Sequence, residues 1–223
     1  MLSMLRALWQ ADGTFPSGSF AFSYGIEGAI ALRQGMDSSE FGQLVGTVIR
    51  HRWAGFDRIA LLRAFRARGN LVEILAIDRE VDASTLIGPL RRGSRRNGTS
   101  FLASHARLGS ELAQRLRDAV RRGDGLGHIN VMQGAIWSEE GLDERLAQLT
   151  SGYTAASGLI SAAIRLGAIG VLQGQRVLRD SLPLIEALAA EPVPDDVEMQ
   201  SFLPFLDIAS ARHERADLRL FAN

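Results

Sequence analysis

The residues FGQLVGTVIRHRWAGFDRIALLRAFRA, from Phe41 to Ala67, decide the fold class. Phe41, Leu44, Val48, Phe56, Ile59 and Leu62 follow the 3.6-residue spacing of a helix with one apolar face. Ser38 or Ser39 can cap its start, and Gly69 with Asn70 ends it. The same period recurs outward from this stretch. Leu2, Leu5, Leu8 and Trp9 predict a short first helix, and Tyr24 to Arg33 a second. Leu71 to Val81 is a short helix, and Pro89 fits near the start of the next one. Phe101, Leu108, Leu112 and Leu116 predict one long helix ending near Arg122 and Gly123. His128 to Trp137, Leu142 to Leu149, Ser151 to Leu166 and Ile169 to Ala190 complete the series. Alternating strand patterns are scarce. The expected fold is all-α: a single helical bundle of roughly eight to ten helices over residues 1–190. Residues 191–223 form a linker and a C-terminal docking tail. The linker EPVPDD, with its prolines and acids, is expected to be extended and solvated, and to hold the tail away from the body.

Composition narrows the chemistry. The chain has 223 residues, 46% hydrophobic content and a formal net charge of zero. A neutral chain has no global attraction for nucleic acid or an anionic membrane. All 25 basic residues are arginine, and there is no cysteine. Disulfides, thiolate metal sites and thiol nucleophiles are therefore excluded. The start, MLSMLRALWQADG, lacks the pattern of a signal peptide. The longest apolar run, Gly158 to Leu172, is broken by Arg165, so no membrane span is expected. A cytoplasmic protein without membrane or nucleic-acid partners is the expectation.

No catalytic constellation stands out. His51, His105, His128 and His213 never lie three or four residues apart, so no helical His pair can hold a metal. His105 falls on the Phe101 face and is expected to be partly buried and satisfied. The basic cluster RRGSRRNGTSF, Arg91 to Phe101, reads as a solvated or partner-facing helix, with weak nucleic-acid binding as an alternative. No P-loop is present, since that motif requires a lysine.

Three stretches carry more information. The loop FPSGSFAFSYGIEG runs from Phe15 to Gly28 and contains Phe15, Pro16, Phe20, Phe22, Tyr24 and Glu27. The run Gly127 to Arg176 contains GHINVMQG and SAAIRLGAIGVLQGQR. There the small residues Ser157, Ser161, Gly170 and Gly174 allow close approach of another backbone. Arg165 needs a partner or solvent, and with Gln173 and Gln175 it suggests a polar passage between helices. The third stretch is SFLPFLDIASARHERADLRLFAN, Ser201 to Asn223. Phe202, Pro204, Phe205, Leu220 and Phe221 alternate with charged residues, including Arg212, His213 and Arg219. An apolar tail of this kind either docks on a partner or folds back on its own core.

In their order along the chain these stretches resemble the urease accessory protein UreF family. Pro16, Gly18, Phe20, Gly25, Ile26 and Glu27 match its N-terminal pattern, with Phe15 and Phe22 departing from it. His128, Gly134, Ser161 to Gly167, Gly170 and Gln175 match the middle segment. Pro204, Leu206 to Ser210, Arg212 to Glu214 and Arg219 to Phe221 match the tail. The resemblance implies an all-helical homodimer without enzymatic activity. It implies binding to UreD (UreH), recruitment of the GTPase UreG, and nickel delivery to the apo-urease subunits. No cofactor is then bound stably, and nickel transits the complex. Phe202, Phe205, Leu220 and Phe221 are expected to anchor the tail on UreD, with Arg212, His213 and Arg219 positioning UreD or UreG. Another reading is a helical enzyme with a site near Arg165, Gln173, His128 and Glu27.

Overall fold

The computed structural model describes residues 1–17, 22–33, 35–213 and 220–221. Among these residues every regular element is helical. Helix α1 spans Leu2–Ala11, α2 Ile26–Leu32 and α3 Ser38–Val48. The last runs through a π-helical segment, Ile49–Asp57, into α4, Arg58–Arg66. Then follow α5 Leu71–Ser84, α6 Gly88–Arg107, α7 Glu111–Arg122 and α8 Ile129–Glu139. The series closes with α9 Glu144–Arg165, α10 Val171–Ala190 and α11 Pro204–His213. With α3, the π segment and α4 taken as one rod, the described residues form ten rods, in the all-α arrangement expected.

Local chemistry sets most of the ends. Asp37, rather than Ser38 or Ser39, caps α3: its carboxylate accepts the Ser39 and Glu40 N–H groups, and Glu40 reaches back to the Asp37 N–H. The single long helix expected from Phe101 to Leu116 is two helices. α6 stops at Leu108, Gly109 takes a left-handed φ of 101°, and Ser110 caps α7 by accepting the Ala113 N–H. Leu108 is exposed and belongs to no apolar stripe. Conversely, the two helices expected on either side of Thr150 are one, α9. Its small polar residues are occupied by packing, since Ser151 Oγ accepts the Trp53 Nε1–H at 3.1 Å.

Two apolar clusters make the core. One joins α4, α5, α6, α7 and α8 around Leu61, Leu62, Phe101, Leu116 and Trp137. The other joins α2, α3, α9, α10 and the tail around Ile26, Phe41, Ile160, Ala163 and Leu206. The π segment serves both, sending Phe56 into the first and Ile49 and Trp53 into the second. Its wider turn bonds the Arg58 N–H to Trp53 O, five residues back.

The linker EPVPDD is exposed, as expected, apart from half-buried Val193, but it is also strapped down. Arg58 donates to Glu191 O, Arg66 donates to Val193 O at 2.8 Å and to Asp195 at 2.6 Å, and Gln200 N–H donates to Gly55 O at 2.8 Å. Met199 is buried in the first cluster. The tail helix α11 then lies on α2. A Cβ at Gly28 would stand 2.8 Å from the Ala209 carbonyl carbon and nearer still to its oxygen, so a glycine is required for this approach. The expectation of a tail held clear of the body therefore fails, because arginines on α4 and a glycine face on α2 bind it along its length. No helix among the described residues is long and apolar enough to cross a membrane.

Candidate functional site

The N-terminal loop, the C-terminal half of α9 and the tail meet around a cavity of about 340 Å³ that opens to solvent. Phe22 is buried with its ring against Gly93 of α6 and 4.6 Å from the ring of Tyr24. This places Tyr24 on the cavity wall. Opposite it stands a pair the sequence does not advertise. Arg52 Nε donates to Asp57 Oδ1 at 3.0 Å, and Asn130 Nδ2 donates to the same oxygen at 2.7 Å. Residues five apart diverge on an α-helix, but the π segment turns them onto one side. The Arg52 guanidinium also lies 4.2 Å from the centre of the Phe56 ring.

Burial shapes the electrostatics here. Burial raises the Asp57 pKa, opposed by Arg52, His128 and Asn130. Burial also raises Asp207, opposed by Arg52. Tyr24 is pushed up to about 12, first by burial and then by the Asp57 charge. The cavity thus holds carboxyls that resist ionisation beside fixed arginines.

A second centre clamps the tail. Glu27, 7% exposed, accepts the Leu220 N–H at 2.6 Å through Oε1 and the Phe221 N–H at 3.2 Å through Oε2. His213 Nε2 lies 3.1 Å from Glu27 Oε2, an ion pair whenever the ring carries its second proton. Phe221 is buried in the second cluster, and the Arg165 guanidinium lies 4.3 Å from the centre of its ring.

The predicted residues divide accordingly. Tyr24, Glu27, His213, Phe221 and Arg165 come together, and Phe22 supports them. Phe15 instead packs on Trp9, Phe101 and His105, and the Pro16 carbonyl accepts the Ser104 hydroxyl at 2.7 Å. Phe202, Phe205 and Leu220 are exposed, as are Pro204 and Arg212. Phe20 and Arg219 lie outside the described residues. Gln173 and Gln175 are exposed on α10 and do not line the cavity. Gln173 turns back to accept the Gly170 N–H at 2.8 Å, closing the start of its helix.

His128, Arg165, Gln173 and Glu27 do not form one site. His128 belongs to a separate buried network, with Nδ1 3.0 Å from Ser94 Oγ and Nε2 2.9 Å from Asp82 Oδ1. Ser94 lies inside α6, where the helix consumes the backbone N–H groups that would stabilise an oxyanion. Asp82 is also bound by Arg95. Next to it, Asp78 accepts the N–H groups of Leu126, Gly127 and His128 at 2.6, 2.8 and 2.8 Å. The network bolts the 123–128 loop onto α5 and α6. Of the basic cluster it engages Arg95, while Arg92 and Arg96 are exposed, as expected of a solvated helix face. His105 is fully buried rather than partly so; its Nε2 lies 3.3 Å from Gln10 Oε1, as expected of a satisfied residue, but its Nδ1 has no hydrogen bond. Among the described residues no three His, Asp or Glu side chains are grouped to hold a metal.

Comparison with known proteins agrees with the family resemblance. The family model UreF matches residues 36–182. Urease accessory protein UreF of Trichodesmium erythraeum is 33% identical over 232 residues, covering 100% of this chain and 98% of its own. The protein of the same name from Cereibacter sphaeroides is 30% identical, covering 98% of each. Urease accessory protein UreF 1 of Brucella melitensis is 28% identical over 99% of this chain and 92% of its own. A family model spanning most of the chain, and relatives aligned almost end to end, place it: the chain belongs to the UreF family of urease accessory proteins.

Proposed function

We infer that this chain is a non-enzymatic scaffold of urease maturation. It binds UreD (UreH), recruits the GTPase UreG as a homodimer in the cytoplasm, and brings nickel to the apo-urease subunits. One observation carries this reading. Helix α11 is apolar on both sides: Leu206 and Ala209 face the body, while Phe205 and Ile208, with Phe202 just before them, remain exposed. A surface row of large apolar side chains on a docked segment supports a partner interface. Nickel is cargo in this reading. The cavity wall of Asp57, Asp207 and Arg165 is its proposed route, in place of the Gln173 and Gln175 passage.

The test is co-purification with the co-encoded UreD and UreG, scored by size exclusion with light scattering. A complex containing two copies of this chain is expected. Phe202→Asp with Phe205→Asp should abolish it and leave the melting temperature of the free chain unchanged. If both folded partners elute apart from the intact chain, the scaffold reading fails. If the double variant still captures UreD, the tail is not the interface.

A further inference from the structure

Glu27 is a buried carboxylate whose two oxygens accept two successive backbone N–H groups. Backbone contacts carry no sequence information, so selectivity must come from the side chains that follow. Leu220 points outward at 58% exposure, whereas Phe221, at 4%, enters the apolar cluster under Arg165. Phe221 is also part of the cavity wall, together with Arg165, Leu203 and Leu206. The arrangement is that of a peptide-recognition pocket: a bidentate acceptor for the two successive N–H groups of a bend, next to an aromatic-sized recess roofed by a cation.

We propose that Glu27 and Arg165 form a receptor for a bent apolar–Phe dipeptide, and that the chain's own Leu220–Phe221 fills it as a removable stopper at the Arg165 end of the cavity. The clamp has few parts. Among the described residues two hydrogen bonds and one ring hold it, and the ring interaction depends on the Arg165 charge. A segment held this way opens locally without unfolding the bundle. Withdrawal of Phe221 opens the buried part of the cavity wall, at Leu159 and Ala162, to solvent. Its bearing on nickel transit rests on the passage reading above, whereas the test below reads the stopper alone.

The natural chain has no cysteine, so a single introduced thiol reports accessibility. Ala162→Cys in the full chain places the thiol on the α9 cavity wall, at a position 2% exposed. Leu159→Cys, also 2% exposed and on the same wall, is a second reporter. Ala135→Cys, fully buried within α8, is the control for general loosening. The readout is the rate of modification by a small charged methanethiosulfonate under native conditions. Adding Phe221→Ala or Glu27→Gln should accelerate both cavity reporters by about tenfold or more, and leave the Ala135→Cys control slow. Phe221→Tyr, which keeps the ring, should keep both slow. An excess of the synthetic peptide Arg-Leu-Phe-Ala-Asn should slow the Phe221→Ala reporters again but not those carrying Glu27→Gln. Unchanged cavity rates in Phe221→Ala, an equal rise in the control, or no peptide protection would each overturn the proposal.

Discussion

Replacing Gly28 with alanine should destabilise the protein, although helix propensity predicts the reverse. Inside a helix, alanine is better than glycine by about 1 kcal/mol. At Gly28, however, the new Cβ would stand 2.8 Å from the Ala209 carbonyl carbon and 3.0 Å from His213 Cβ. Carbon pairs rest at roughly 3.5–4.0 Å, so helix α11 must retreat by roughly 0.5–1 Å. The nearest neighbours are backbone atoms, and no rotamer change relieves them. Overpacking of this kind costs about 1–3 kcal/mol, with rigid surroundings at the upper end. Less the propensity gain, the net loss is about 1–2 kcal/mol. Gly46 is the matched control. It lies within α3, and a Cβ there would meet nothing within 4 Å. Gly46→Ala should therefore stabilise by about 0.5–1 kcal/mol. Urea denaturation gives both values, and hydrogen exchange should show faster opening of α11 only in Gly28→Ala. If both variants are stabilised equally, the close approach of α2 and α11 is refuted.

Burial lowers the His105 pKa to about 4, so between about pH 6.5 and about 4 the unfolded chain takes up the proton that the folded chain refuses. Each unit of acidification in that window should cost up to ~1.4 kcal/mol from this residue, and none above it. His128, also lowered by burial, acts in the same direction. His105→Gln should flatten the loss of stability between pH 7 and pH 5, and an unchanged slope would count against it. Asp78→Asn takes the charge from all three backbone N–H contacts and leaves at least one N–H without an acceptor, so the melt should report a loss of about 2–3 kcal/mol. Leu206→Ala should cost about 2–4 kcal/mol, while Phe202→Ala should fall within ~0.5 kcal/mol of the parent by denaturant titration. The reverse order would mean that the tail sits on the body by its other face.

The fold class was legible because helical periodicity is a local property. The stripe from Phe41 to Leu62 is buried at Phe41, Val48, Phe56, Ile59 and Leu62, with Leu44 half-buried. Breaks were less legible. The Leu108–Ser110 turn hides behind an apolar residue that continues the period, and Gly152 on α9 resembles a break but packs against Trp53 and Ile185. The tail was legible as apolar, but its two sides were not. Phe202 and Phe221 are alike as residues, yet one is 79% exposed and the other 4%. That assignment depends on Gly28, Glu27 and Arg165, which are distant in sequence.

By itself, the sequence determined a neutral, cysteine-free, all-helical chain and its family, since composition, period and motif order need no coordinates. Only tertiary structure decided the site. Arg52 and Asp57 pair because a π segment realigns residues five apart, and Glu27 meets Leu220 and Phe221 across nearly the whole chain. Periodicity speaks for neighbours within a turn or two. The partner of a buried charge is chosen by packing, which brings together residues from any distance along the chain.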